Sequence, residues 1–452
     1  MNMMFKFGLL IALLLSLTLV GCDDDDDDGS DDDDSTDDDT DDDDTLDDDT
    51  VDDDSADDDT HETDEACLFV VNDDDSYFHQ NPQVTMNAAG DFAFVWSLTE
   101  YIGDDDEKDV DPDGVMARFY DADGNALGNP TVVFPTANAD WARAHVASGD
   151  DRVVFAWTHY GAGDAAQGVY ARLYTWDGAA LDDAFLVAGE EGGEMAVFSS
   201  VAMNADGDFL IVYSIGTTSV LESRVQRFDA DGDPVGDAIE ITEVGLSDMD
   251  ADGNFIVIWN LPGTPPEFDV YAQRYRADGT ALDDSFRVNE TTDLGQVGTG
   301  LAVAPDGHFV VAWHYIEVYN SQLDAYARVY EADGSARTGE FRMNDEVAGV
   351  QARPSVDLAA DGRFVASWAL QKTGEYAFGV RGRRYAADGA TSGDEMAIFN
   401  YHSVENSGNA PTVAMSDDGT FVVAVDRYDE NDEYLQIVAR RFDGAGNALC
   451  PE

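Results

Sequence analysis

The sequence predicts an all-β chain: a seven-bladed β-propeller of four-stranded antiparallel blades, closed by an N-terminal strand that completes the last blade. Three observations predict it. Short phrases recur about every 53 residues through seven copies. The segments between turns are short, β-branched and aromatic, and Asp-Gly pairs bound them. The last copy lacks a fourth strand, and a matching strand stands ahead of the first copy.

The first phrase is an apolar strand running into an Asp-Gly turn, as in Val201–Gly207, Leu301–Gly307, Val356–Gly362 and Val413–Gly419. The second follows at once, as in Phe309–Trp313. Its last aromatic recurs as Trp96, Trp157, Tyr213, Trp259, Trp313 and Trp368, with Val425 in the final copy. The third strand is rich in Tyr, Ala and Arg. It closes on an aromatic in every copy: Tyr120, Tyr174, Phe228, Tyr275, Tyr330, Tyr385 and Phe442. A shorter fourth strand reads Phe286–Asn289 or Phe341–Asn344. Four such strands per repeat form a propeller blade, whereas solenoid rungs are shorter. The final copy stops at Cys450–Glu452, and Cys67–Asn72 supplies its missing strand. The fourth copy departs at Ser247–Asp248, and the second and third lack the Phe-x-x-Asn ending, which predicts irregular blades there.

Ahead of the repeats, Phe7–Val20 is an apolar run of 14 residues behind Lys6. A membrane-spanning helix needs about 20 residues, so the run has the length of a signal-peptide core instead. It ends in Leu19-Val20-Gly21-Cys22, which resembles the lipobox of bacterial lipoproteins. The resemblance implies cleavage after residue 21, a diacylglycerol on the sulfur of Cys22 and attachment to a lipid bilayer. The expected location is extracytoplasmic and lipid-anchored, at the outer membrane or cell surface. Residues 23–66 hold 27 Asp and 2 Glu and no Lys or Arg. Such a run repels itself and has little to bury, so 22–66 reads as an acylated Cys followed by a disordered tether. The propeller domain is assigned to residues 67–452. Cys67 and Cys450 are the cysteines that remain after Cys22, they fall together in the circular repeat, and an exported chain is expected to oxidise them.

Without leader and tether the chain retains 67 acidic side chains against 22 basic ones. That surface excludes nucleic acid as a partner and favours cations or basic partners.

Taken together, the Asp-Gly turn, Phe-Val-Val-x-Trp, Val-Tyr-Ala-x-Arg-Tyr and Phe-x-Val-Asn phrases resemble the repeats of bacterial secreted and surface β-propeller proteins. The resemblance spans residues 67–452 and implies the architecture and a binding or surface role. Within a blade, the connections between first and second and between third and fourth strands are uniform. The connections between second and third strands vary, so a ligand site is expected on that face, near the channel. Candidate side chains there are Tyr101, Trp141, His159, Tyr160, His314, Tyr315, Arg427 and Tyr428, which suit a glycan or a peptide.

Asp109, Asp111 and Asp113 form a D-x-D-x-D-G segment in an acidic insertion, a candidate calcium site. The similar Asp248–Gly253 segment coincides with an ordinary turn and is assigned to turn chemistry. Arg118, Arg172, Arg328, Arg383 and Arg440 recur on the third strands, with Gln226 and Gln273 in the third and fourth copies. Recurrence in most blades argues for a structural role between blades. Ser416–Phe421 approximates a sialidase Asp-box but is one residue short. No catalytic motif is found, so the expectation is a non-enzymatic, membrane-anchored binding module for a glycan, peptide or envelope partner. The alternatives are a polysaccharide-acting glycosidase or lyase, and a calcium-bridged surface protein.

Overall fold

The structure is a computed structural model, and it describes residues 67–73, 78–99, 113–136, 144–159, 167–189, 195–217, 220–262, 268–292, 295–316, 323–345, 349–371, 378–401, 410–428 and 435–450. The described residues form seven antiparallel four-stranded sheets with no helix among them. Each sheet is a blade whose strands follow sequence order from the inside outwards, except in blade seven, where the first strand of the chain lies outermost and the short Ala448–Leu449 also pairs with the third strand. The inner strands of blades one to seven are Phe78–Met86, Ala144–Ser148, Met195–Met203, Leu246–Met249, Gly295–Val303, Val350–Leu358 and Thr412–Met415. Each packs beside the next, and the seventh returns to the first, so they ring a central channel. Blades two to four, expected to be irregular, keep all four strands, although the inner strand of blade four is only four residues long.

The repeat follows from packing between blades. Apolar side chains gather into seven clusters, one at each junction, each drawing on two neighbouring blades. Second strands are covered on both faces and are therefore almost continuously apolar; Phe421–Tyr428 is buried over its first six residues. The Phe that opens a second strand stacks flat on the aromatic that closes the third strand. Ring centroids lie 4.8 Å apart for Phe92–Tyr120, 4.7 Å for Phe309–Tyr330 and 4.6 Å for Phe364–Tyr385. Such directly opposed aromatics fix strand register as well as burying area. At the turns, Asn87 and Asn204 take the backbone N–H four residues on, and Gly90 and Gly207 follow with φ near +90°, which glycine adopts without strain.

Arginines join blade to blade in two directions. Arg118, Arg172, Arg328, Arg383 and Arg440 reach backwards to the outer-strand carbonyls of Val71, Val133, Val288, Met343 and Ile398, at 2.7–3.1 Å. Arg152, Arg227, Arg274, Arg337, Arg384 and Arg441 reach forwards to turn carbonyls of the next blade. The structural role expected of the third-strand arginines is what these bonds perform.

Leu68–Val70 pairs antiparallel with Leu435–Phe442 and is the outer strand of blade seven. Asn72 seals it by accepting the backbone N–H of Ile437 at 2.8 Å. Cys67 and Cys450 meet there as a disulfide-capable pair, their Cα atoms 3.9 Å apart. The bond closes a loop of 383 residues. Removing it with a Cys67→Ser, Cys450→Ser variant is expected to cost up to about 5 kcal/mol, read as a lower urea midpoint under oxidising conditions and no difference from wild type under reduction.

Candidate functional site at the channel mouth

Inner strands start on the face where the variable connections between second and third strands emerge, and second strands end there. In four blades the residue after the second-strand aromatic position holds a backbone N–H of the next inner strand. Thr158 Oγ1 takes Phe198 N at 2.8 Å, Asn260 Oδ1 takes Gly298 N at 2.8 Å, His314 Nδ1 takes Arg353 N at 3.4 Å and Asp426 Oδ2 takes Asn81 N at 3.0 Å. These bonds latch successive blades at the channel mouth. The same position carries Ser97, Ser214 and Ala369 in the remaining blades.

Two of the latched residues are strained. Asn81 and Arg353 both have φ of +54°, and each precedes a proline. Left-handed backbone costs a non-glycine residue on the order of 1–2 kcal/mol, and such strain persists where the surroundings over-determine it. Both lie where the inner strand bulges against its partner. Blade seven sits between them and contributes Asp426, whose charge acts on the half-buried Arg353 guanidinium. His314, Arg353, Asp426 and Asn81 therefore make a polar arc across blades five, six, seven and one. Burial, and to a lesser degree the Arg353 charge, holds His314 down at about 4, so its imidazole is neutral at neutral pH. Accepting the Arg353 amide at Nδ1 assigns its proton to Nε2. Beside the arc, Phe78 meets Tyr428 edge-to-face with centroids 6.3 Å apart.

Towards the opposite end of the channel, two carboxylates stand on the inner strands of blades four and six. Asp248 accepts Val303 N at 2.6 Å and Asp357 accepts Met415 N at 2.7 Å, again joining each blade to the next. Both are partly open to the channel and otherwise enclosed by protein. Burial raises each carboxyl to about 7, and the charge of Asp248 adds to the effect on Asp357.

The candidates read from sequence divide. His314 belongs to the arc, and Arg427 and Tyr428 follow Asp426 on its strand. Tyr315 does not reach the mouth: it is buried on Tyr326 with its hydroxyl on Glu340 Oε1 at 2.9 Å. His159 is also walled in, between Phe134 and Tyr170, where burial lowers its pKa. Tyr101, Trp141, Tyr160, Asp109 and Asp111, the side chain of Asp113, and Cys22 lie outside the described residues. Of Asp248–Gly253, Asp248 and Met249 end the inner strand and Asp250–Gly253 make the expected turn, with Asp250 binding Asn254 and Asp248 turned to the next blade. Among the described residues no group of three or more His, Cys, Asp or Glu is placed to hold a metal ion. Sequence reasoning missed Arg353, Asp426 and Asn81. Their signals were present: a polar residue before proline in Asn81-Pro82 and Arg353-Pro354, and Val425 where other copies have an aromatic.

No protein-family model and no curated protein sequence matches the chain. Solved structures do match its fold. A protein of unknown function from Dyadobacter fermentans is 11% identical, with 83% of this chain and 97% of that chain covered and a TM-score of 0.49. An oligogalacturonate lyase in complex with manganese is 10% identical over 86% of this chain and 95% of its own, TM-score 0.49. The α-L-arabinanase of Penicillium chrysogenum is 9% identical over 82% and 97%, TM-score 0.43. The chain is a seven-bladed β-propeller, and likeness at this level concerns the ring alone. The expectation of a non-enzyme, which rested on a missing sequence motif, does not stand: solved structures named as enzymes are among the matches, and the ring decides neither for nor against an activity.

The channel carboxyls generate a pH dependence. In the unfolded chain they titrate near the ordinary 3.8, in the ring near 7. Between those values the folded state binds more protons, so stability falls as pH rises from about 4 to about 7. Asp248→Asn and Asp357→Asn, which keep an acceptor for the backbone N–H, are expected to raise the melting temperature at pH 8 and to match wild type at pH 4.

Proposed function

We propose that the protein is a polysaccharide-acting propeller that seats a hydroxyl-rich glycan on the arc at the channel mouth. The arc is the observation that carries this reading. Arg353 and Asn81 supply donors and Asp426 an acceptor within one latched set, the complement of neighbouring sugar hydroxyls. Phe78 and Tyr428 offer an aromatic lip beside it. The backbone strain at Asn81 and Arg353 supports a functional assignment, since the repeat itself needs no left-handed residue there. A neutral glycan suits a chain with 96 acidic residues against 23 basic ones better than a polyanion does. Asp426 is assigned as the carboxylate that takes part in cleavage; its partner in acid–base work is expected from the connections on the same face, at about 5–10 Å.

Release of reducing ends from a panel of neutral and acidic polysaccharides tests this. Cleavage of a neutral glycan is expected, with a loss of at least 100-fold in Asp426→Asn and an unchanged melting temperature. Binding without cleavage overturns the enzymatic part, and neither binding nor cleavage overturns the site. The reading also includes a lipid anchor at Cys22, on the grounds of its lipobox. Cells fed labelled palmitate are expected to label the wild-type chain and not Cys22→Ala.

A further inference from the structure

A cleft lies far from the mouth, on the outer rim between blades three and four. It is open, measures about 440 Å³, and is lined by Glu240, Ile241, Thr242, Gln273, Tyr275 and Gly279, with Ala281 at its edge. Its position has a cause in the repeat. At five of the seven junctions a third-strand arginine sends Nη1 to the outer-strand carbonyl of the preceding blade. The guanidinium lies 5.4–5.6 Å from the closing tyrosine ring in blades one, two and five. In blades five and six the tyrosine hydroxyl donates to that same carbonyl.

Blade four has Gln273 at the arginine position and Tyr275 at the closing aromatic. The shorter amide donates to Asp283 O in its own blade at 3.1 Å, and its Oε1 accepts from the Thr242 hydroxyl of blade three. The Tyr275 hydroxyl donates to Gln273 Oε1 at 2.8 Å instead of to the Ile241 carbonyl, and it accepts Thr242 N at 3.4 Å. The counterpart of Val288, Met343 and Ile398 is Ile241, and among the described residues no arginine reaches its carbonyl. Gly279, with φ of +82°, adds room, because a Cβ there would run into Ile239. In blade three Gln226 also replaces arginine, but there Phe185 packs on Phe228 at 5.5 Å.

We propose that this cleft accepts the guanidinium of an arginine side chain from a basic partner protein. The incoming group takes the place the other blades fill from within: over the face of Tyr275, donating to the Ile241 carbonyl, with the exposed Glu240 carboxylate as its counter-charge. Charge favours such a partner, since the chain carries a formal net charge of −73. The chain is poorly placed to fill the cleft itself, because outside the described residues its sequence holds a single arginine, Arg143.

Calorimetric titration of the full chain with a short blocked peptide containing one arginine, against the same peptide with citrulline, tests the proposal. Citrulline keeps the shape and removes the charge. The arginine peptide is expected to bind at least 10-fold more tightly. Gln273→Arg is expected to abolish that preference by filling the cleft from within, and Glu240→Gln to weaken binding several-fold without altering the packing. Gln226→Arg, the same change at the junction where Phe185 packs on Phe228, is expected to bind like wild type. Equal binding of the two peptides overturns the proposal. So does an arginine preference that survives in Gln273→Arg, or one that Gln226→Arg abolishes equally, since either marks general attraction to an acidic surface.

Discussion

Every core cluster among the described residues belongs to two blades at once, so no blade buries its own apolar faces. A ring built this way leaves an unpaired apolar face unless its first and last blades meet. The strand Leu68–Val70 meets that requirement by joining the last blade from the other end of the repeat region. Once the blades are held, the arginine belts and inner-strand bonds have fixed carbonyls and amides to reach. The disulfide-capable pair sits at the seam that depends on a contact made across the whole sequence. Long-range pairing of this kind is entropically costly to form, which is why a covalent tie is most effective there.

The same constraint explains what could be read from the sequence. Stacked pairs such as Phe309–Tyr330 and buried second strands demand the same residue types in every blade, so they print a visible period. The backward arginines do so too, because one geometry recurs at five junctions. The latch at the mouth left no such print. Thr158, Asn260, His314 and Asp426 share a role and not an identity, since any side-chain acceptor of suitable reach satisfies one backbone N–H. His159 and Tyr315 looked like exposed loop aromatics because they follow the last tryptophan of their strands. In fact those strands run on, and their side chains turn into the walls of the blades.

Departures from the period are where the ring stops being only a scaffold. Val425 replaces an aromatic just where Asp426 faces two strained residues, and Asn81 and Arg353 replace the small or apolar residues found at the bulges of blades three and five. Gln273 replaces an arginine and a cleft opens beside it. A structural repeat tolerates such changes only where neighbouring blades hold the backbone independently, and here the forward arginines Arg227 and Arg274 still bridge the junctions on both sides of blade four.

The channel is also chemically polarised. Arg353 and Asp357 stand on one inner strand, four residues and roughly 13 Å apart at about 3.3 Å per residue. Near the mouth the wall presents a guanidinium and amide groups; near the far end it presents two carboxyls that burial keeps largely from ionising below about pH 7. Their neutral forms relieve a repulsion that the acidic exterior otherwise compounds. Deprotonation at higher pH loads the far end with negative charge while the neutral His314 leaves the mouth unchanged. Across the neutral range pH therefore acts on the far end of the ring and on its stability, while the His314 imidazole at the mouth stays neutral.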